Sequence, residues 1–147
     1  MSDLPHAKSF RDLLVYQKSL MLSNEIFSAS AKFPRDEIYS LTSQIRRSSR
    51  SVGAQITEAW AKRRYEKHFI SKLTDADGEQ METQHWLEIA VNCDYLSREE
   101  ASKLLEKCVE IGRLLGGMMA KANLFCKPES ISLRENQAEY FISTTED

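Results

Sequence analysis

Apolar residues along the first fifth of the chain, Phe10, Leu13, Leu14, Leu20, Met21, Phe27 and Ala31, recur at the spacing of one face of an α-helix. Ser9 opens this segment with a capping-box-like Ser-x-x-Asp that ends on Asp12, and the spacing predicts a helix to about Lys32. Phe33-Pro34 stops it, because proline disfavours helical geometry in the residue before it. Asp36 and Glu37 then stand where the positive end of a second helix dipole favours carboxylates. Ile38, Leu41, Ile45, Val52, Ile56 and Ala59 form its apolar stripe. No glycine or proline marks where that helix ends, and the break is placed near Arg64 and Tyr65 because a later stripe has to turn back. Phe69, Leu73, Ala76, Gln80, Leu87 and Val91, flanked by Ile70, Trp86 and Ala90, predict a third helix that ends near Asp94.

Ser97-Arg98-Glu99-Glu100 is a full Ser-x-x-Glu capping box, with Leu96 placed as the outer half of a hydrophobic staple. The fourth helix follows through Ala101, Leu104, Leu105, Cys108, Ile111, Leu115, Met118, Met119 and Ala122. Gly116-Gly117 costs roughly 1 kcal/mol per residue relative to alanine, which predicts a kink or a close contact there. Four antiparallel amphipathic helices with short connections specify an all-α, up-down-up-down bundle. The bundle spans residues 9–126, after an N-terminal extension (1–8) and before a polar, acidic C-terminal tail (127–147). In that tail Glu129, Glu135, Glu139, Glu146 and Asp147 stand against Arg134, while Tyr140-Phe141-Ile142 could dock on the body or on another subunit.

Length and composition agree with one domain: 147 residues, five glycines, three prolines and 29% charged residues suit long helices on a single core. A net charge of −2 excludes a chain that is basic throughout, so any affinity for nucleic acid has to come from a local patch. Cys93, Cys108 and Cys126 are too far apart for a Cys-x-x-Cys motif and read as buried, reduced thiols of a cytoplasmic protein. Neither a signal peptide nor an apolar run near the ~20 residues of a membrane span is present, which points to a soluble protein.

The local patch lies in "QIRRSSRSVGAQ", Gln44 to Gln55. At about 100° per residue, Leu41, Ile45, Ser49, Val52 and Ile56 point to the core. Arg46, Gly53, Thr57 and Arg64 share a flank, Arg47, Ala54 and Ala61 face nearly away, and Arg50 bridges the two sectors. Ser48, Ser49 and Gly53 would let helix axes approach closely. Arg46, Arg47 and Arg50, extended by Lys62, Arg63, Arg64 and Lys67, could pair with phosphates. A solvated, ion-paired face is the plain competitor, with Glu58, Glu66 and the acids of the third helix as partners.

Signals for catalysis are weak. Glu82-x-x-His85, with Glu88 beyond, has the spacing of one half of a di-iron site, but the second Glu-x-x-His that such a site needs is missing. Asp75, Asp77 and Glu79 around Gly78 lack EF-hand spacing. Arg46-Arg47-Ser48-Ser49 resembles a basic kinase target by composition only, and Trp60 and Trp86 read as packing anchors. No phosphate-binding glycine loop or nucleophile elbow occurs, and no cofactor is indicated.

Taken in order, "FRDLLVYQKSL", "KFPRDEIYSLTSQIRRSSRSVGAQITEA", "FISKLTDADGEQMETQHWLEIAVNCDYLS" and "IGRLLGGMMAK" resemble the four-helix-bundle proteins encoded within 23S rRNA intervening sequences, over roughly Phe10 to Lys121. The resemblance implies a bacterial homopentamer of four-helix protomers. It also implies kinship with the accessory protein of diversity-generating retroelements, which binds nucleic acid and a reverse transcriptase. The family's Tyr-x-Leu-x-x-Gln-x-x-Arg pattern falls on Tyr39, Leu41, Gln44 and Arg47, its helix-three glycine and glutamate on Gly78 and Glu82, and its Trp-Leu pair on Trp86-Leu87. In that correspondence Arg47 and Glu82 could form an inter-helix ion pair. Two departures are Glu58-Ala59 where the family has Glu-Gly, and the acidic extension after Lys127.

The leading expectation is therefore a non-enzymatic, oligomeric bundle that binds RNA or DNA, or a nucleoprotein partner such as a reverse transcriptase. Arg46, Arg47, Arg50, Lys62, Arg63, Arg64 and Lys67 would be its phosphate contacts, and Gly53, Gly78, Glu82 and Trp86 its structural or interface positions. A protein-binding scaffold is the runner-up. A metal enzyme centred on Glu82, His85 and Glu88 comes third.

Overall fold

Ser9 accepts the Arg11 N–H, and the Asp12 carboxylate accepts from the Lys8 and Ser9 N–H groups, so the capping box forms as read. It closes only a single 3-10 turn, Phe10–Asp12; Leu13 then runs extended and α1 covers Leu14–Ser30. The computed structural model describes residues 7–126. The tail, its Tyr140-Phe141-Ile142 segment and the first six residues of the N-terminal extension lie outside the described residues.

The face of α1 that packs inward is not the one its bulkiest residues suggest. Leu14, Leu20, Met21 and Phe27 are 47–55% exposed and Ala31 is also exposed, whereas Val15, Ser19, Leu22, Ser23, Ile26 and Ser30 are buried. The physical reason is in the serines. Their hydroxyls donate to carbonyls three residues back (Ser19 to Tyr16, 2.7 Å; Ser23 to Leu20, 2.8 Å; Ser30 to Phe27, 3.2 Å), so burying them leaves no orphaned donor. Their small size admits α2 (Ser43–Ala61): a Cβ built on Gly53 would stand 3.1 Å from Ser19 Oγ and 3.5 Å from the Tyr16 ring. Counting large apolar residues thus selects the outer face of α1.

Between these helices the chain takes a 3-10 turn, Arg35–Glu37, and a π-helical turn, Ile38–Thr42, instead of entering one regular helix at Asp36. The wider π turn breaks the α-helical register, and Ile38, expected in the stripe, is 46% exposed. From Leu41 onward the stripe holds: Leu41, Ile45, Val52, Ile56 and Ala59 are buried, together with Ser48 and Ser49. α2 ends at Ala61, Lys62 N–H closing it on the Glu58 and Ala59 carbonyls, and α3 runs Glu66–Asn92 from an extended Tyr65. The break falls beside the expected position, without a glycine.

α3 buries Phe69, Leu73, Ala76, Gln80, Thr83, Leu87 and Ala90, while Val91 is only half-buried; the turn after it passes through Asp94 at φ 63°. The Ser97–Glu100 box is formed in both directions, Leu96 is buried, and α4 covers Arg98–Ala120. Ala101, Leu104, Cys108, Ile111, Leu115 and Met118 form its buried row. Gly116 and Gly117 make no close contact among the described residues, since a Cβ on either would meet nothing within 4 Å, and α4 runs through both. The close approach is at Gly112, where a Cβ would stand 2.7 Å from Gln80 Nε2. A short α5, Ala122–Cys126, takes Ala122 out of α4 and stacks Phe125 on Phe69 at 5.7 Å.

α2 packs against α1 and α3, and α4 against α3 and α1, which closes the up-down-up-down bundle around one core. Cys108 and Cys126 are buried as expected, but Cys93 is exposed because it lies at the end of α3 and not on its buried row. No helix among the described residues is long and apolar enough to cross a membrane.

Candidate nucleic-acid interface

α2 offers two chemistries on two sides. Inward, Ser48 Oγ and Thr83 Oγ1 share a 2.8 Å hydrogen bond across the α2–α3 contact, and Ser49 donates to the Arg46 carbonyl. Both serines are buried, so the small residues serve close packing and the basic Arg-Arg-Ser-Ser segment offers no open hydroxyl. Outward, the three arginines meet different fates.

Arg46 lies across α1. Its Nε donates to Ser30 Oγ (2.8 Å), Nη2 donates to the Phe27 carbonyl (3.3 Å), and the guanidinium carbon stands 4.3 Å from the Phe27 ring centroid. Arg50, one turn on, stands 5.5 Å from the same ring. Like charges at i, i+4 repel by a few tenths of a kcal/mol, and the negative face of one phenyl shared by two cations offsets part of that. Among the described residues neither arginine meets a carboxylate at ion-pair distance. Arg46 uses two of its N–H donors on neutral oxygens, so its charge is undiminished and its remaining donors are held in place.

Arg47 is different. Its Nη2 donates to Glu82 Oε2 at 2.7 Å and its Nη1 lies 3.7 Å from Glu79 Oε1, so the ion pair that the resemblance implied is present. Of the three arginines, this one has its charge balanced within its own protomer, which sets it apart from Arg46 and Arg50 as a phosphate contact. Glu82 also accepts the Trp86 indole N–H at 3.0 Å. Burial raises its pKa, but the bonds from Trp86 and Arg47 and the Arg47 charge outweigh burial and hold the carboxyl below its ordinary range. Glu79 ends on the other side: burial pushes it up, and the Arg47 charge does not compensate. Its buried Oε1 accepts no hydrogen bond from a described group.

Arg46, Arg47 and Arg50 line one open groove with Ile38, Thr42, Ser43, Ser51 and Ala54, about 490 Å³ in volume. Ile38 and Thr42 of the π turn line it, and it shares Arg50 and Ala54 with a smaller hollow of about 300 Å³ whose lining includes Ser19, Ser23 and Gly53. The other four cations gather at the α2–α3 corner. Lys62 and Lys67 are exposed, Arg63 lies 3.6 Å above the Trp60 ring with its Nε donating to the Trp60 carbonyl, and Arg64 is exposed beside them. The seven expected cations therefore form two clusters at different heights on the bundle.

Gly78 is exposed and a Cβ there would meet nothing within 4 Å, so nothing inside the protomer demands glycine. Glu82, His85 and Glu88 do not converge. Glu82 is held by Arg47 and Trp86, the His85 ring packs 4.8 Å from Trp86, and Glu88 lies 3.5 Å from Arg98. Among the described residues no group of three or more His, Cys, Asp or Glu is placed to hold a metal. Phe27 and Ser30, which fix Arg46, were missed because Phe27 reads as a core residue and no local signal links α1 to an arginine 19 positions away.

Among curated proteins none matches the chain. A crystal structure of a protein of unknown function from the S23 ribosomal protein family of Bacteroides thetaiotaomicron VPI-5482 is similar, with 31% identity and a TM-score of 0.66. The match covers 72% of this chain and 98% of that one. The family model for the 23S rRNA-intervening sequence protein matches residues 11–117, from the capped turn before α1 through nearly all of α4. On that span of matched sequence, and on the helical fold it shares with its solved relative, the chain belongs to the 23S rRNA-intervening sequence protein family.

Proposed function

We propose that the protein is a non-enzymatic, oligomeric helical-bundle module that binds nucleic acid, RNA foremost, through the arginine face of α2. The observation that carries this reading is the Arg46–Arg50 pair: two guanidiniums held over one phenyl ring at a groove, with no carboxylate on either among the described residues. The hydrogen-bonded seat of Arg46 suits phosphate, since a preorganised fork loses little entropy on binding. Lys62, Arg63, Arg64 and Lys67 supply the second cluster, and a polymer can span both clusters where a small anion meets only one.

Oligomerisation would repeat both clusters and raise avidity without any new contact. The outer arc of α1 supports assembly: Leu14, Leu20 and Met21 are exposed, and their neighbours along it, Gln17, Asn24 and Ser28, carry no charge. A cyclic ring, five-membered by family resemblance, is the assembly proposed. The same uncharged arc favours the second reading, a scaffold that binds only proteins, with a nucleoprotein such as a reverse transcriptase between the two.

Titration of labelled RNA and duplex DNA across a salt series separates them. If phosphates are neutralised, log K falls linearly with log salt, by about 0.7–0.9 per contact. Absence of binding at low salt, with a multimer seen by light scattering, leaves the scaffold.

A further inference from the structure

The α2–α3 corner carries a feature that phosphate binding does not use. Tyr65, the residue before α3, is 58% exposed, extended (φ −122°, ψ 117°), and its side chain makes no capping bond. Four residues on, Phe69 is fully buried, so the core is served from that position and the fold has no need of a ring at Tyr65. His68 is also exposed, and the two rings meet edge to face with centroids 5.3 Å apart and planes at 60°. A parallel stack would cover a face of each ring, whereas this contact covers one face of one ring at most. At the same corner the Arg63 guanidinium lies 3.6 Å from the Trp60 ring centroid, and Lys62 and Lys67 are exposed. Of the nearby acids, Glu58 is engaged by Lys72 at 2.7 Å.

We infer that this corner is a second nucleic-acid contact that takes unpaired bases of a single strand, with Tyr65 and His68 as the stacking rings and Lys62 and Lys67 beside the flanking phosphates. The inference rests on the nucleic-acid reading above and gives it a ligand class. Open aromatic faces within a nucleotide's reach of cations are what a single strand requires. A duplex keeps its base faces stacked on each other and offers none to the rings, while its phosphates suit the Arg46–Arg50 groove as well as those of a single strand. Cation pairs alone would not tell the two apart; exposed rings do.

The test measures fluorescence anisotropy of a labelled 20-nucleotide oligouridine and of an RNA duplex of equal length, each with the full chain at fixed low salt. Tyr65→Ala should weaken oligouridine binding roughly five- to a hundredfold while duplex binding stays within twofold, and the salt slope for oligouridine should not change, because no charge is removed. Tyr65→Phe keeps the ring and should bind like wild type, and His68→Ala should show a smaller, single-strand-selective loss. Thermal melts of each variant confirm the fold. Equal loss for both ligands, or no loss for either, overturns the stacking site. If the wild-type chain binds both ligands with a salt slope that depends on Arg46 and Arg50 while Tyr65→Ala is silent, only this inference falls. If the wild type binds neither ligand, the nucleic-acid reading falls with it.

Discussion

Glu82→Ala removes the acceptor shared by Arg47 and Trp86, and its cost can be worked from the two bonds. The Arg47 side chain is 50% exposed and that of Glu82 is 34% exposed, so solvent screens the pair and its contribution is about 0.5–1 kcal/mol. The half-buried Trp86 N–H loses its 3.0 Å acceptor, which costs about 1 kcal/mol with water partly able to replace it. Glu79, 3.7 Å from Arg47, takes over some of the ion pairing. The expected loss is therefore about 1–2 kcal/mol, or a fall in Tm of roughly 3–6 °C for a chain of this size. Glu82→Gln, which retains an oxygen for the indole, should lose less than half as much. Because the folded-state pKa of Glu82 is depressed, its contribution is complete above the ordinary carboxylate range and disappears as pH falls through the lowered value. Melts of the three proteins between pH 7 and acid, followed by circular dichroism, should show the wild-type advantage shrinking with acidification. A Glu82→Ala Tm within 1 °C of wild type at pH 7, or a Gln variant as damaged as the Ala variant, would refute this account of the triad.

Glu100, bonded to Lys32 and to the Ser97 backbone, has its pKa lowered to about 2, so the stability it lends is present above pH ~4.5 and lost between there and about 2; Glu100→Gln should flatten the acid limb of the Tm profile. Gly78→Ala should stabilise by about 0.5–1 kcal/mol through helix propensity alone, whereas Gly53→Leu, driven against Ser19 and Tyr16, should destabilise by about 1–3 kcal/mol, both read by urea unfolding. Cys93 should react with a thiol reagent in the native protein, while Cys108, whose pKa burial raises to about 12, and Cys126 should react only after unfolding; three fast thiols would contradict the packing of α4 and α5.

Where side-chain periodicity and local capping act together, the sequence is legible. The Ser97–Glu100 box and the Leu41–Ala59 row needed only neighbours within a few residues, and both are present as read. α1 misleads because two apolar rows compete, and the one that packs is diluted with serines whose hydroxyls are satisfied within their own helix. The π turn at Ile38–Thr42 leaves no compositional mark, so it displaced Ile38 unannounced. In the candidate site, the Arg47–Glu82 pair came from motif correspondence and not from spacing. The Phe27–Ser30 seat of Arg46 depends on how α1 docks on α2, which no local pattern encodes.

The central claim is that Arg46 and Arg50 meet phosphates while Arg47 holds the bundle together. It is tested most directly by comparing the salt dependence of RNA binding for an Arg46→Ala/Arg50→Ala double variant with that of Arg47→Ala, each checked for the same oligomeric mass as wild type. The double variant should lower the slope of log K against log salt by about 1.4–1.8 per protomer engaged, while Arg47→Ala lowers Tm and leaves the slope close to wild type. Equal slopes for wild type and the double variant, or a slope that collapses only in Arg47→Ala, would contradict it.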